Sequence, residues 1–288
     1  MSISPQLGEE HRVDVPAGTI SYRECGNGSP IVFVHGVGVN GDLWRWVVPR
    51  LAGGHRCITP DLPWGSHSIP LKPDADLSLP GMARITADLL KALDLDKVTI
   101  VANDTGGAVA QALVGRHPGR IARLVLTSCD AFEKFPPTPQ KYLEVMARSR
   151  LLTWIVAYTA QFKPIQRLPT AYGFVTARPM PADIMRSYTD PVRMNSGVRR
   201  DFQRMLRAVD TKYTFEAAAQ LTNFDKPALV LWAESDKIFP REHGRRLARL
   251  LPQGRFELIP RSRTFIPEDQ PELFVTAVED FLAAYPIT

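Results

Sequence analysis

Two kinds of apolar spacing alternate along this chain. Val13, Val15, Ile20 and Tyr22 alternate with polar residues around Pro16-Ala17-Gly18, which predicts a hairpin. Pro30-Ile31-Val32-Phe33-Val34 is instead a continuous apolar run, the mark of a strand covered on both faces, and it ends in the loop His35-Gly36-Val37-Gly38. Helical spacing follows at Leu43, Trp46, Val47 and Leu51, with Asp42 placed to cap that helix. Cys57–Leu62 reads as a short strand, and Pro63–Pro80 as a Pro/Gly-rich loop. Met82, Ile85, Leu89, Leu90 and Leu93 form the buried stripe of a helix over 81–95. Val98–Val101 is the next strand, Ala108–Val114 has helical composition, and Ile121–Thr127 is another buried strand. Between 130 and 223 no run reads as a core strand. Aromatics, methionines and arginines recur at helical spacing there, cut by many prolines. Strand and helix patterns resume at 227–232, 242–251, 255–259 and 271–285. The alternation predicts an α/β fold with a mostly parallel, doubly wound sheet, whose core is 1–129 and 224–288 and whose inserted helical cap is 130–223.

Composition narrows the function classes. With 288 residues, 44% hydrophobic and 23% charged, the chain has the balance expected of a soluble globular protein. Its net charge of +5 comes from dispersed arginines with no run of five basic residues, so a nucleic-acid partner is not expected. Cys25, Cys57 and Cys129 are odd in number and widely spaced, which points to neither a disulfide framework nor a zinc site and fits a reducing cytoplasmic setting. The first ten residues lack the pattern of an export signal, and no apolar stretch approaches membrane-spanning length. The expectation is therefore a small-molecule substrate, with no cofactor, no metal and no membrane partner, and with the oligomeric state open.

The chemistry concentrates where the strand at Val98 turns into the helix at Ala108. Asp104 stands between Ala102 and Gly106, a frame of small residues that suits a strained strand-to-helix elbow presenting its central side chain. The same aspartate would also serve as an ordinary helix N-cap.

Taken in order, His35-Gly36, Asp61-Leu62-Pro63, Ala102-Asn103-Asp104-Thr105-Gly106, Arg116–Leu126 and Glu234–Pro240 resemble the α/β-hydrolase superfamily. More narrowly they are similar to its aspartate-nucleophile branch of haloalkane dehalogenases and epoxide hydrolases. The resemblance implies that Asp104 is the nucleophile and that the backbone N–H groups of Val37 and Thr105 form the oxyanion hole. It implies Asp236 as the supporting acid, with Asp130, after the strand ending at Thr127, at the alternative acid position used by some dehalogenases. Glu133 follows Asp130 closely. Such clustered carboxylates would repel one another and leave one protonated as a general acid.

The sequence departs from this family at the base. The position matching the catalytic histidine, counted back from Pro271, is Thr264, and no histidine follows His243. His67, on the loop after Pro63, is the substitute nearest the site, whereas His35 in the oxyanion loop reads more simply as structural. The dehalogenase halide ligands, Trp after the nucleophile and Asn after His-Gly, are replaced by Thr105 and Val37. Tyr142, Tyr158, Tyr172 and Tyr188 are candidate cap acids of the epoxide-hydrolase kind, and Arg199, Arg200 and Arg204 read as a solvated face. Three readings follow: a hydrolase acting on a carbon–halogen or epoxide/ether bond; a cyclase, isomerase or lyase using the carboxylates as acid and base; and a silent ligand-binding homologue.

Overall fold

The computed structural model describes residues 2–133, 135, 142–169 and 171–287. The hairpin is strands β1 (Glu9–Val15) and β2 (Gly18–Cys25), followed by β3 (Ser29–Val34), a short helix α1 (Val48–Leu51) and β4 (His55–Pro60). Then come α2 (Leu79–Ala92), β5 (Val98–Asp104), α3 (Thr105–Arg116) and β6 (Ile121–Cys129). Five helices occupy the following segment: α4 (Tyr142–Met146), α5 (Arg150–Thr159), α6 (Lys163–Gln166), α7 (Ala182–Met194) and α8 (Ser196–Arg207). The chain closes with α9 (Thr211–Gln220), β7 (Ala228–Ala233), α10 (Arg241–Leu250), β8 (Gly254–Ile259), α11 (Ile266–Asp269) and α12 (Pro271–Ala284).

The strands form one sheet in the order β1-β2-β4-β3-β5-β6-β7-β8. Pairings among β4, β3, β5, β6, β7 and β8 are parallel; β1 and β2 continue the sheet antiparallel at one edge. Every residue of β5 and β7 is buried, as two-sided coverage demands. On one face α1 adjoins α12, with Trp44 packed between Phe33 and Phe274; on the other α2, α3, α9 and α10 lie in a row. The mostly parallel, doubly wound sheet expected from the sequence is what the chain forms.

Two expectations change. The cap was expected to run to 223, but α9 packs along α3 in the core layer, so the helices above the strand ends are α4 to α8. The helix expected around Leu43–Leu51 is split into a 3₁₀ turn (Gly41–Trp44) and α1, and its cap is Asn40, whose side chain accepts from the Asp42 N–H. Asp42 is used otherwise. It accepts from the N–H groups of Ile3 and Ser4 and from Ser187 Oγ of α7 at 2.6 Å. Asn40 Nδ2 donates to the Ser187 carbonyl and Ser66 Oγ to that of Tyr188, so buried polar links seat α7 on the core loops.

Glycines allow the closest approach in the fold. A Cβ on Gly106 would lie 2.4 Å from the carbonyl oxygens of Val34 and His35, which belong to β3 and its loop. Gly106→Ala is therefore expected to lose about 1–3 kcal/mol in urea unfolding. Gly119→Ala, at a site with open space, should stay within about 0.5 kcal/mol of the parent.

Candidate active site

β5 delivers Asp104 to the carboxyl edge of the sheet, where its backbone turns to φ +57°, ψ −132°. A side chain in that region is strained, and it persists because the surroundings leave no alternative. Gly36 sits so close that a Cβ there would meet the Asp104 side chain at 2.5–2.8 Å. The Asp104 carboxylate accepts from Thr105 N–H at 2.5 Å and from Thr105 Oγ1 at 3.0 Å, and the Val37 N–H faces it. The two backbone donors expected for the oxyanion hole thus both address Asp104. Burial lifts its pKa to about 6; the Thr105 bonds oppose that rise and the charge of Asp236 adds to it.

Thr105 Oγ1 also lies 3.0 Å from Asp130 Oδ2. A hydroxyl carries one proton, so between two carboxyls it donates to one and accepts from the other when that one is protonated. Asp130 is completely buried, with Oδ1 lacking a hydrogen-bond partner among the described residues. Burial and then the Asp104 charge push its pKa well above the usual carboxylate range. Thr105 thus bridges the two carboxyls.

Asp236 is held at one oxygen. Its Oδ1 accepts from the N–H groups of Ile238 and Phe239, both at 2.8 Å, and from Thr264 Oγ1 at 3.1 Å; Oδ2 is buried and unpartnered among the described residues. Burial raises its pKa as well. The Thr264 carbonyl accepts from Asn103 Nδ2 at 2.8 Å, which ties the loop after β8 to the residue preceding Asp104.

Asp104, Thr105 and Asp130 open into a cavity of about 150 Å³ between the sheet edge and the cap helices. Its wall is chiefly apolar, including Val37, Met146, Val156, Phe202 and Phe265. Two tyrosines join it. The Tyr172 hydroxyl donates to the Gly38 carbonyl at 2.7 Å, whereas the Tyr188 hydroxyl is buried without a hydrogen-bond partner among the described residues. Tyr158 is exposed on the outside of the cap, and the side chain of Tyr142 is outside the described residues.

Several anticipated site residues do not line this cavity. His35 is neutral and buried: its Nε2 accepts from Leu62 N–H, its Nδ1 donates to the Gly36 carbonyl, and burial pushes its pKa down to about 3. It fastens the oxyanion loop to the next loop. His67 turns away toward Asp201 of α8, 3.5 Å distant, so it is no substitute base for Asp104. Glu133 points outward and pairs with His243 at 2.9 Å. Thr264 is fully buried beside Asp236. The cap arginines are clamps as well as a charged face: Arg200 and Arg204 donate to the Leu71 and Ala75 carbonyls of the core loop. The Thr105 hydroxyl bridge and the Asn103 tether were missed in the sequence. A hydroxyl residue where dehalogenases carry Trp was the available signal for the first, and nothing local announces the second. Among the described residues no cluster of three or more His, Cys, Asp or Glu is arranged to hold a metal ion.

Residues 29–271 match the alpha/beta hydrolase fold family. Over 294 aligned residues, covering 96% of each chain, the protein is 29% identical to the cis-3-alkyl-4-alkyloxetan-2-one decarboxylase of Xanthomonas campestris pv. campestris. It is 26% identical over 288 residues to the 2-hydroxymuconate semialdehyde hydrolase of a Pseudomonas species, covering 97% of this chain and 95% of that one. Among solved structures it is similar to the haloalkane dehalogenase DatA from Agrobacterium tumefaciens C58, with a TM-score of 0.80, 21% identity and coverage of 98% and 99%. By its strand order, its elbow and this match across most of its length, the chain belongs to the alpha/beta hydrolase fold family.

Proposed function

We propose that the protein is a cofactor-independent, hydrolase-like enzyme in which Asp104 attacks an sp³ carbon of a small, mainly apolar substrate. The observation that carries this reading is the Asp104 carboxylate itself, strained into an apolar cavity and held by the Val37 and Thr105 N–H groups. Attack forms a carbon–oxygen bond to Asp104 and releases the leaving group from that carbon, giving an alkyl-enzyme ester. The ester carbonyl stays on the same two donors, which would hold the oxyanion of any later attack by water.

The leaving group is better matched to oxygen than to halide. Neither side chain that dehalogenases use for halide is present at Val37 or Thr105. Two proton donors face or adjoin the cavity instead: neutral Asp130 and the unpartnered Tyr188 hydroxyl. Opening an epoxide or another strained cyclic ether or ester produces an alkoxide or carboxylate, and a proton from Asp130 or Tyr188 neutralises an alkoxide as it leaves.

A second reading is favoured by Thr264. Where the ester needs a base to activate water, threonine offers none, so a reaction that ends without hydrolysis suits this site. The Xanthomonas campestris relative is named for a decarboxylation, which likewise needs no water.

Exposure to a panel of epoxides and alkyl halides should add the mass of the alkyl group to the intact protein. The adduct should be absent in Asp104→Ala. Its rate of formation should be half-maximal near pH 6 and fall about tenfold per unit below that, because only ionised Asp104 attacks. No adduct across the panel, or one that persists in Asp104→Ala, overturns the nucleophile assignment.

Thr264→His should shorten the adduct lifetime by at least about tenfold and bring ¹⁸O from solvent water into the product. Product formed by the parent enzyme at a comparable rate without ¹⁸O selects the non-hydrolytic reading.

Asp130 also sets a stability trend. Its raised pKa means that above pH 3.8 the unfolded chain releases a proton that the folded chain retains, so this group costs stability as pH rises. Asp130→Asn should therefore be more stable than the parent at pH 8 in urea unfolding. The advantage should grow by at most about 1.4 kcal/mol per pH unit and vanish near pH 4.

A further inference from the structure

Helix α5 has two apolar faces. Its inner side supplies Thr153, Val156 and Ala157 to the cavity wall. Its outer side presents Leu151, Trp154, Ile155 and Tyr158, at spacings of three and four residues, and Phe162 extends the row beyond the helix end. These five side chains are 38–69% exposed. The Trp154 and Tyr158 rings stack at 5.4 Å and Tyr158 meets Phe162 edge-on at 5.5 Å, so the surface is continuous. An exposed apolar surface this large marks an interaction site.

The charges around it choose the partner. Residues 145–182 contain five basic side chains and no acidic one. Arg148, Arg150, Lys163 and Arg167 are exposed at the two ends of the aromatic row, and none is paired with a carboxylate among the described residues. Residues 142–207 together hold eleven basic and four acidic side chains, a net +7 against +5 for the whole chain. The positive charge is thus collected on the cap, and the rest of the protein is slightly acidic. A second copy docking through the same face would oppose one basic rim to another. An anionic lipid surface satisfies both features, since aromatic and aliphatic side chains enter the headgroup boundary while lysines and arginines meet the negative headgroups.

We propose that the outer face of α5 docks the cap onto anionic phospholipid bilayers. No described helix is long and apolar enough to cross a membrane, so the contact is interfacial. The sequence-based expectation of no membrane partner rested on the lack of a spanning segment, which does not bear on surface docking. Docked this way, the cavity lies one helix diameter from the bilayer, about 10 Å, so an apolar substrate dissolved in lipid has a short path to Asp104.

The test is flotation of the full chain with vesicles. It should float with vesicles containing phosphatidylglycerol at low salt, about tenfold less with pure phosphatidylcholine, and progressively less as salt rises. Replacing Trp154, Tyr158 and Phe162 together by serine should reduce flotation at least about tenfold with unchanged thermal unfolding. Lys163→Glu combined with Arg167→Glu should do the same, and this variant serves if the triple variant does not fold. Absence of flotation with phosphatidylglycerol vesicles, or flotation equal in parent and both variants, overturns the proposal. So does self-association that the serine variant abolishes when no vesicle binding is seen, because the face would then be a contact between copies.

Discussion

The backbone strain at Asp104 is the constraint on which the rest of the molecule depends. A positive φ on an aspartate is costly and survives only where packing on all sides denies the relaxed conformation. Here Gly36 lies against its side chain, and Gly106 presses on the carbonyls of β3 and its loop. The Gly107 position leaves room only for a hydrogen beside Cys129 of β6. Three adjacent parallel strands and one helix therefore converge on a single residue. This convergence lifts the carboxylate out of the strand, turns it toward the cap and brings the Val37 N–H within reach. The chemistry of the site is thus a consequence of close backbone packing, which glycine alone permits at these points.

A second constraint follows from gathering three carboxylates in one buried region with no cation paired to them among the described residues. Arg45 is spent on Glu268 and His67 lies toward Asp201. Charge balance must therefore be met by protons and by N–H donors. Asp104 receives an N–H donor from Thr105, and burial still lifts its pKa to about 6. Asp236 takes two N–H groups and a hydroxyl on one oxygen, while Asp130 has only the Thr105 hydroxyl beside it, and burial pushes its pKa well above the usual carboxylate range. Like residues in one cluster thus sit in unlike environments, set by burial and by the donors around each.

What could be read from the sequence divides along the range of the interactions. Parallel strands covered on both faces are continuous apolar runs, so β3, β5, β6 and β7 were legible from composition. The elbow was legible from the small residues around Asp104. Those signals are local. The roles of Asp42, Asn103 and His67 depend on partners between 134 and 161 residues away, Ser187 Oγ being 145 residues from Asp42, and no local pattern encodes them. The same holds for α9. Its spacing is that of any helix in the cap segment, and only packing against α3 returns it to the core.

The cap and Thr264 bear on each other. In a site where water completes the reaction, the pocket must admit it and a base must orient it. Here the wall above Asp104 is apolar, and the position that would carry the base holds Thr264, turned to Asp236 and tethered by Asn103 to the elbow. At this position the loop after β8 presents a hydroxyl that donates to Asp236. The other Asp236 oxygen is buried without a hydrogen-bond partner among the described residues, which adds nothing to stability. Asp104 and Asp130, bridged by Thr105, are the carboxyls that line the cavity beneath the cap.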